Sequence, residues 1–290
     1  MVCSIHHWKV NATLAIFFLF TIKPFVVFAE IYQWTDKQGR THYSGVEHDQ
    51  AKLVKIDHGY AFFQVKKVFD GDTILLTNGT KVRLLGINTP EVETRNKSAQ
   101  PFGEEAKQWL EKALQDKKVY LIKDLEKKDK YDRTLAHVFT QTHRHINLEL
   151  VEKGLATVNI HPPSLKYTDE LLVAQDHAES EKIGLWQHEQ YQRKSIISIE
   201  GKRPKGWQRL FGEIIGIRES RKYVYLEFSN SLDARIARKH ISYFPDISIY
   251  LHKTIEVRGW LSRRKKHFSM LIRHPSSIKI MKSHDSTGLR

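Results

Sequence analysis

Cysteine is almost missing from this chain: Cys3 is the only one in 290 residues. A single thiol beside the N-terminus supports neither a disulfide framework nor a Cys-ligated metal centre. That absence assigns no compartment, because oxidising environments permit disulfides without requiring them. Three catalytic signatures are missing as well: a Gly-rich phosphate loop ending in Lys-Ser/Thr, an HExxH helix and a serine-nucleophile elbow. The 16 histidines do not fall into metal-ligand spacing, and His143 and His145, which flank Arg144 in a polar turn, are expected in solvent. Acidic residues are scarce in one region only. Residues 197–290 carry 8 Asp/Glu against 20 Lys/Arg, whereas residues 1–196 carry 25 against 27. The formal charge of +14 is thus concentrated in the C-terminal third. Such a field favours a polyanion, either nucleic acid or an anionic membrane surface. Long apolar runs are rare too. Residues 12–22 form an almost uninterrupted run of 11, and a spanning helix needs ~20.

What is present, 40% hydrophobic residues over this length, is enough for real cores and for two domains. Lys9 ahead of the apolar run and Val27-Phe28-Ala29 behind it give residues 1–29 the form of a cleaved secretory signal. The alternative is an inner-membrane anchor over 12–28, the only route by which membrane contact is expected. Residues 30–58 read as a small β-hairpin domain, with Tyr32 and Trp34 on one arm and Tyr43 on the other. Its pattern resembles a short domain of unknown function found near the N-termini of exported bacterial proteins, which implies periplasmic or extracellular placement.

Alternating and continuous apolar patterns predict strands at 62–69, 73–76, 81–87, 119–122 and 135–139. Helical spacing predicts helices over 103–115, 147–153 and 169–182, the last two ended by Gly154 and Gly184. Residues 59–192 are therefore a β-rich α+β unit, a five-stranded barrel with about three helices. Residues 193–205 read as a linker. Residues 206–282 carry a second strand-rich pattern, clearest at 211–217, 223–228, 255–261 and 268–272, and 283–290 are a tail. Within it, Lys253-Thr254-Ile255-Glu256-Val257-Arg258-Gly259-Trp260-Leu261 resembles the strand-into-turn segment of small nucleic-acid-binding OB barrels.

The stretch from Asp70 to Glu91 carries the chemistry. It runs Asp70-Gly71-Asp72-Thr73, turns at Asn78-Gly79, and continues through Arg83-Leu84-Leu85 to Asn88-Thr89-Pro90-Glu91. Asn-Gly suits a two-residue hairpin with positive φ at both positions. Pairing of the flanking strands would bring Asp72, Arg83, Asn88 and Glu91 within reach of one another. Oxygen donors beside a fixed guanidinium are what a metal-assisted attack on a phosphodiester requires. Taken singly, Asp70-Gly71-Asp72 is also an ordinary polar turn. Arg83 could equally be an internal ion pair with Asp72 or Glu91, and Arg133 a solvated charge.

The motifs Asp70-Gly71-Asp72-Thr73, Arg83-Leu84-Leu85, Thr89-Pro90-Glu91, Phe102-Gly103-Glu104-Glu105-Ala106, Asp129-Lys130-Tyr131-Asp132-Arg133, Gly154-Leu155-Ala156 and Gly184-Leu185-Trp186 occur in one order. In that order they resemble the staphylococcal nuclease (thermonuclease) family over roughly 130 residues. The resemblance implies an OB-type barrel and a hydrolase, an endonuclease that cuts DNA and RNA with one Ca²⁺ and leaves 3′-phosphates. It implies Asp72 as a direct metal ligand, the Asn88 position as a second and the Thr89 carbonyl as a third, with Asp70 holding the turn. Glu91 would orient or deprotonate the attacking water, Arg83 and Arg133 would clamp the phosphate, and Lys130 and Tyr131 would contact the nucleotide. One departure stands out: many family members carry aspartate where this chain has Asn88, so weaker metal affinity is expected.

In the C-terminal third, Arg263-Arg264-Lys265-Lys266 lies between two predicted strands, and Arg235, Arg238 and Lys239 form a second cluster near Tyr243 and Phe244. Basic residues interleaved with aromatics suit single-stranded or structured nucleic acid. The expected partner is DNA or RNA, with no small-molecule organic cofactor. The alternative reading is a nucleic-acid-binding scaffold whose barrel no longer cuts.

Overall fold

The computed structural model describes residues 31–281 apart from residues 37, 48–49, 55–58, 94–97, 200–201, 203 and 205. The leader expected over 1–29 and the tail lie outside the described residues. Among the described residues no helix is long and apolar enough to cross a membrane. The chain divides into two compact units at Gly59. The first is a three-stranded antiparallel sheet of β1 (Ile31–Thr35), β2 (Thr41–Ser44) and β3 (Lys52–Val54), in the order β2-β1-β3. A third strand thus joins the expected hairpin. The Asp36 carboxylate holds the β1–β2 turn together, accepting from the Gln38 and Arg40 backbone N–H groups at 2.9 Å each.

The second unit opens with a closed barrel of β4 (Phe63–Asp70), β5 (Thr73–Leu76), β6 (Lys81–Leu84), β8 (Lys118–Ile122) and β9 (Thr134–Thr140), in the order β4-β5-β6-β9-β8. Only β6 and β9 run parallel. The remaining elements are β7 (Ile87–Asn88), α1 (Gly103–Leu114), α2 (Ile146–Glu152), β10 (Thr157–Val158) and α3 (Thr168–Ser180). Inward residues of the strands, among them Ile74, Leu76, Val82 and Val138, meet Leu110, Leu150 and Leu171 from the three helices in one fully buried core. Asn147 ties α2 to the barrel: it accepts the Val138 N–H at 2.9 Å and donates to the Leu85 carbonyl at 2.8 Å.

Two local expectations differ. At the β5–β6 turn only Gly79 takes positive φ, +85°. The Asn78 side chain accepts the Thr80 N–H at 3.0 Å, so the turn is a longer one with a single left-handed residue. His145 is not in solvent. Its ring stacks on Phe139 at 4.4 Å and meets His137 at 3.1 Å between ring nitrogens.

The rest of the unit is one sheet of β11 (Arg193–Ser195), β12 (Gly206–Glu213), β13 (Gly216–Glu219), β14 (Tyr223–Ser229), β15 (Leu232–Ala237), β16 (Thr254–Arg264) and β17 (His267–Ile272), with β18 (Ile278–Ile280) on β16. Its order, β12-β16-β17-β15-β14-β13, repeats that of the first barrel, with β15 and β17 as the parallel pair. β12 and β13 are one bent strand interrupted at Ile214 and Ile215, pairing with β16 before the bend and with β14 after it. That bend joins the two ends of the sheet, the OB arrangement. The stretch 193–205 does not behave as a free connector. Arg193–Ser195 pairs in parallel with β12, and Ile199 is buried in the second core. Ile196 and Ile199 of the apolar run drive that docking, whereas Ile197 stays exposed.

Candidate active site

Two residues, Gly71 and Asp72, connect β4 to β5. A Cβ at Gly71 would stand 2.7 Å from Ala106 and 2.8 Å from Thr89, so only glycine lets this turn close against α1 and Thr89. Asp72 is buried there. Its Oδ2 accepts the Thr89 N–H at 3.0 Å and pairs with Arg83 Nη2 at 2.9 Å, while Oδ1 accepts the Thr73 hydroxyl at 3.1 Å. Arg83 reaches it because β5 and β6 pair Thr73 with Arg83 across the ladder. Arg83 also donates to the Leu84 carbonyl at 2.6 Å and to Asn88 Oδ1 at 3.2 Å, and Asn88 Nδ2 donates to the Thr89 carbonyl at 3.0 Å.

Arg133, one residue before β9, arrives from the other side. Asp129 grips it at 2.7 Å through Nε and 2.6 Å through Nη2, and its Nη1 donates to Thr73 Oγ1 at 3.4 Å. Thr73 therefore relays Arg133 to the Asp72 carboxylate that Arg83 pairs with directly. Burial pushes the Asp129 carboxyl up, but hydrogen bonds from Arg133 and the loop backbone outweigh it and hold the group below its ordinary range. Arg83, Arg133, Lys130 and Tyr131 line one cleft of about 480 Å³. The Tyr131 ring is exposed and lies 4.8 Å from Lys130 Nζ and 5.5 Å from the Arg133 guanidinium.

The same cleft is lined by Asn159, His161 and Arg273, which sequence reasoning missed. Burial, then the charges of Arg273 and Arg83, depresses the His161 imidazole to about 4, so it is neutral at pH 7. Neither residue sits in a motif. The one available signal for Arg273 is an arginine directly after an apolar strand.

Asp70 stands behind Asp72, its Oδ1 accepting the Asp72 N–H at 3.0 Å. Burial first, and the neighbouring Asp72 charge second, raises its carboxyl to about 6. Two carboxylates brought together out of water call for a proton or a cation between them. Among the described residues no three His, Cys, Asp or Glu side chains cluster as a metal site. A hard cation here would therefore also draw on the Asn88 amide oxygen and the Thr89 carbonyl, which suit an ion that takes oxygen ligands at ~2.3–2.6 Å. Glu91 follows on the loop, its N–H donating to Gln100 Oε1 at 3.0 Å and its carbonyl accepting the Gln100 N–H at 2.8 Å.

Of the basic residues expected to form one patch, Arg235 and Arg263 to Lys266 line a second cleft of about 790 Å³ with Arg218 and Tyr225. Arg238 is not among them: it is turned to Glu219 and to the Ser220 carbonyl. Lys239 is exposed in the following turn.

Residues 81–188 match the model of the family described as Staphylococcal nuclease homologue, and residues 24–52 match a domain of unknown function (DUF4124). The chain is 38% identical to a thermonuclease of Staphylococcus intermedius over 128 residues, 43% of this chain and 76% of that protein. It is 35% identical over 127 residues to a thermonuclease of Staphylococcus hyicus, 43% of this chain and 75% of that protein. It is 32% identical over 165 residues to the endonuclease YncB of Bacillus subtilis (strain 168), 55% of this chain and 73% of that protein.

Proposed function

Since this chain belongs to the staphylococcal nuclease homologue family, we propose that it is an exported nuclease hydrolysing phosphodiester bonds of DNA or RNA with one divalent cation, Ca²⁺. The observation that carries this reading is that two guanidinium groups lining one cleft converge on Asp72, Arg83 by a direct ion pair and Arg133 through the Thr73 hydroxyl. A guanidinium offers two parallel donors to phosphoryl oxygens and keeps its charge at any working pH. Two of them on one cleft hold a phosphate and stabilise the charge that grows as the bond breaks. Lys130 and Tyr131 present a cation and a ring to the adjoining phosphate and base. Glu91 positions the water and takes its proton. Asp72, the Asn88 amide oxygen and the Thr89 carbonyl would hold the Ca²⁺, with Asp70 behind them. When bound, the ion neutralises charge on the phosphoryl group.

Export rests on the apolar run at 12–22 and on the DUF4124 match at 24–52, with the periplasm or the extracellular medium as destination. The N-terminal residue of protein recovered from cell fractions tests it.

Binding without cutting is the second reading, and Asn88 is the observation in its favour. Its amide and the Thr89 carbonyl are already engaged by Arg83 and by each other. One assay separates the two. Purified protein is incubated with plasmid and with RNA, in Ca²⁺ and in chelator. Cleavage in Ca²⁺ alone is expected; saturated substrate left whole in both would support the scaffold.

A further inference from the structure

The two clefts lie at opposite ends of the same pair of strands. Arg235 on β15 pairs with Leu271 on β17, and the strands run parallel. Ala234, Ile236, Met270 and Ile272 point into the second core, so Arg235 and its register neighbours face outward. Arg235 lines the cleft of the C-terminal barrel. Arg273, the residue that follows β17, lines the cleft of Arg83 and Arg133. Burial, and next the Arg235 charge, holds the Arg273 guanidinium below the ordinary arginine range, so the two positive groups feel one another.

Among the described residues neither guanidinium carries an ion pair to a carboxylate, and Arg235 Nε is buried without a hydrogen-bond partner. The carboxylates of this face are already engaged. Glu227 pairs with Arg218 at 2.6 Å, and Asp233 with His267 at 2.7 Å. Rings lie alongside: the Arg235 guanidinium is 5.4 Å from Tyr223 and that of Arg218 is 3.9 Å from Tyr225. Half-buried like charges with a donor to spare, next to aromatic faces, call for a phosphate backbone with stacked bases.

We propose that a single polynucleotide strand leaving the active cleft continues past Arg273 and Arg235 and across Tyr223 and Tyr225 to the Arg263–Lys266 hairpin, making the C-terminal barrel a substrate-holding extension of the nuclease site. The strands 2 and 3 and the loop between strands 4 and 5 of an OB barrel are its usual oligonucleotide surface, and here these are β14, β15 and the β16–β17 hairpin. Along the six residues of β17 the path is roughly 20 Å at ~3.3 Å per residue. This inference rests on the nuclease reading only for what happens at the near end of the path.

Fluorescence anisotropy of the full chain in chelator, with oligonucleotides of about 6, 12 and 24 nucleotides, tests it; one OB barrel covers ~4–16. The longest is expected to bind at least about tenfold more tightly than the shortest. In Arg235→Gln/Arg273→Gln most of that gain disappears, and the slope of log K against log salt shrinks by about 1.4, about 0.7 per lost phosphate contact. Arg263→Gln/Lys265→Gln, on an exposed hairpin where folding is not at stake, shifts the same ratio the same way, whereas the distant exposed Lys117→Gln leaves the slope alone. Affinity indifferent to length, or an equal loss for short and long oligonucleotides in both variants, would overturn the proposal. Cleavage is measured separately in Ca²⁺. A chain that holds long strands through these arginines yet cuts nothing overturns the nuclease reading and supports this one.

Discussion

Asn88 is where the site departs from the ligand pattern that the family resemblance implies, and its bonds say what an aspartate would change. Asn88→Asp keeps an acceptor for Arg83 but loses the Nδ2–H donated to the Thr89 carbonyl, which frees that carbonyl. It also adds a charge ~2.5 Å from a bound cation, a multi-kcal/mol effect at an effective dielectric of ~20 before desolvation. The Ca²⁺ concentration for half-maximal cleavage is expected to fall by about tenfold or more; an unchanged requirement would put Asn88 out of the cation's reach. For the guanidinium groups the fork matters more than the charge. Arg83→Lys and Arg133→Lys should each lower kcat by about 10²–10³, the scale of losing one donor to the transition state, with a smaller change in KM. At this scale much was legible. Arg83 meets Asp72 because strand pairing sets it opposite Thr73, the residue after Asp72. Arg133 carried no local signal, and only its motif singled it out. His161 and Arg273 reach the cleft from segments distant in sequence, and nothing near them announces it.

Elements set how tightly these residues are held. Gly103 opens α1, and a Cβ there would stand 2.4 Å from the Glu91 carbonyl oxygen. Gly103→Ala must therefore push the Thr89–Glu91 loop away from the helix. A lower kcat together with ~1–3 kcal/mol of lost stability is the expected outcome, the scale of overpacking, read by single-turnover cleavage and urea unfolding. Between β9 and α2, burial depresses His137 to about 3 and His145 to about 4, His137 further by the His145 charge. Both are neutral when folded and bind protons below ~6.5 when unfolded. The unfolded state thus takes up more protons as pH falls, and stability is lost from ~6.5 down towards these depressed values. Unfolding free energy should drop by up to about 1.4 kcal/mol per pH unit per histidine. His137→Phe/His145→Phe, which replaces both partners with rings of similar shape, should flatten the curve. Solvent exposure of His145 is what its flanks imply, since Arg144 and the turn are polar; its ring turns back onto Phe139. The strands and helices of the first barrel follow the sequence patterns to within a residue or two, except that the strand expected over 81–87 ends at Leu84 and Ile87–Asn88 pairs with β10 instead; β15, with Asp233 and Arg235 among its apolar residues, reads as a charged cluster rather than a strand.

The whole of residues 60–290 is one compact unit, and its joint is ionic. Glu256, 1% exposed, pairs with Arg209 at 2.9 Å, Arg258 at 2.6 Å and Arg193 at 3.0 Å. Arg209 and Arg258 both reach back to Glu179 at the end of α3. Trp186, Tyr191 and Trp207 pack beside them, with the Arg209 guanidinium 5.4 Å from the Trp186 ring. The charged residues inside β12 and β16 could have announced this joint, because a charge in a buried strand needs a partner. Removing one member leaves the rest under-compensated. Glu256→Gln leaves Arg209 and Arg258 to share Glu179 and Arg193 with no carboxylate, and is expected to cost about 3–5 kcal/mol. Burial pushes the Glu256 carboxyl up, but Arg258 and Arg209 outweigh it and hold it below the ordinary range. Its contribution is therefore present above the usual glutamate pKa and fades as pH falls through the lower folded value. If the network locks the barrels together, tryptophan fluorescence and far-UV signals should unfold in one transition in the parent chain and in two in Glu256→Gln, the barrel outlasting the C-terminal sheet. A single transition of unaltered midpoint in the variant would mean that the aromatic contact alone holds the joint. The path from Arg133 to Arg235 would then rest on packing, and long-strand binding should survive the substitution.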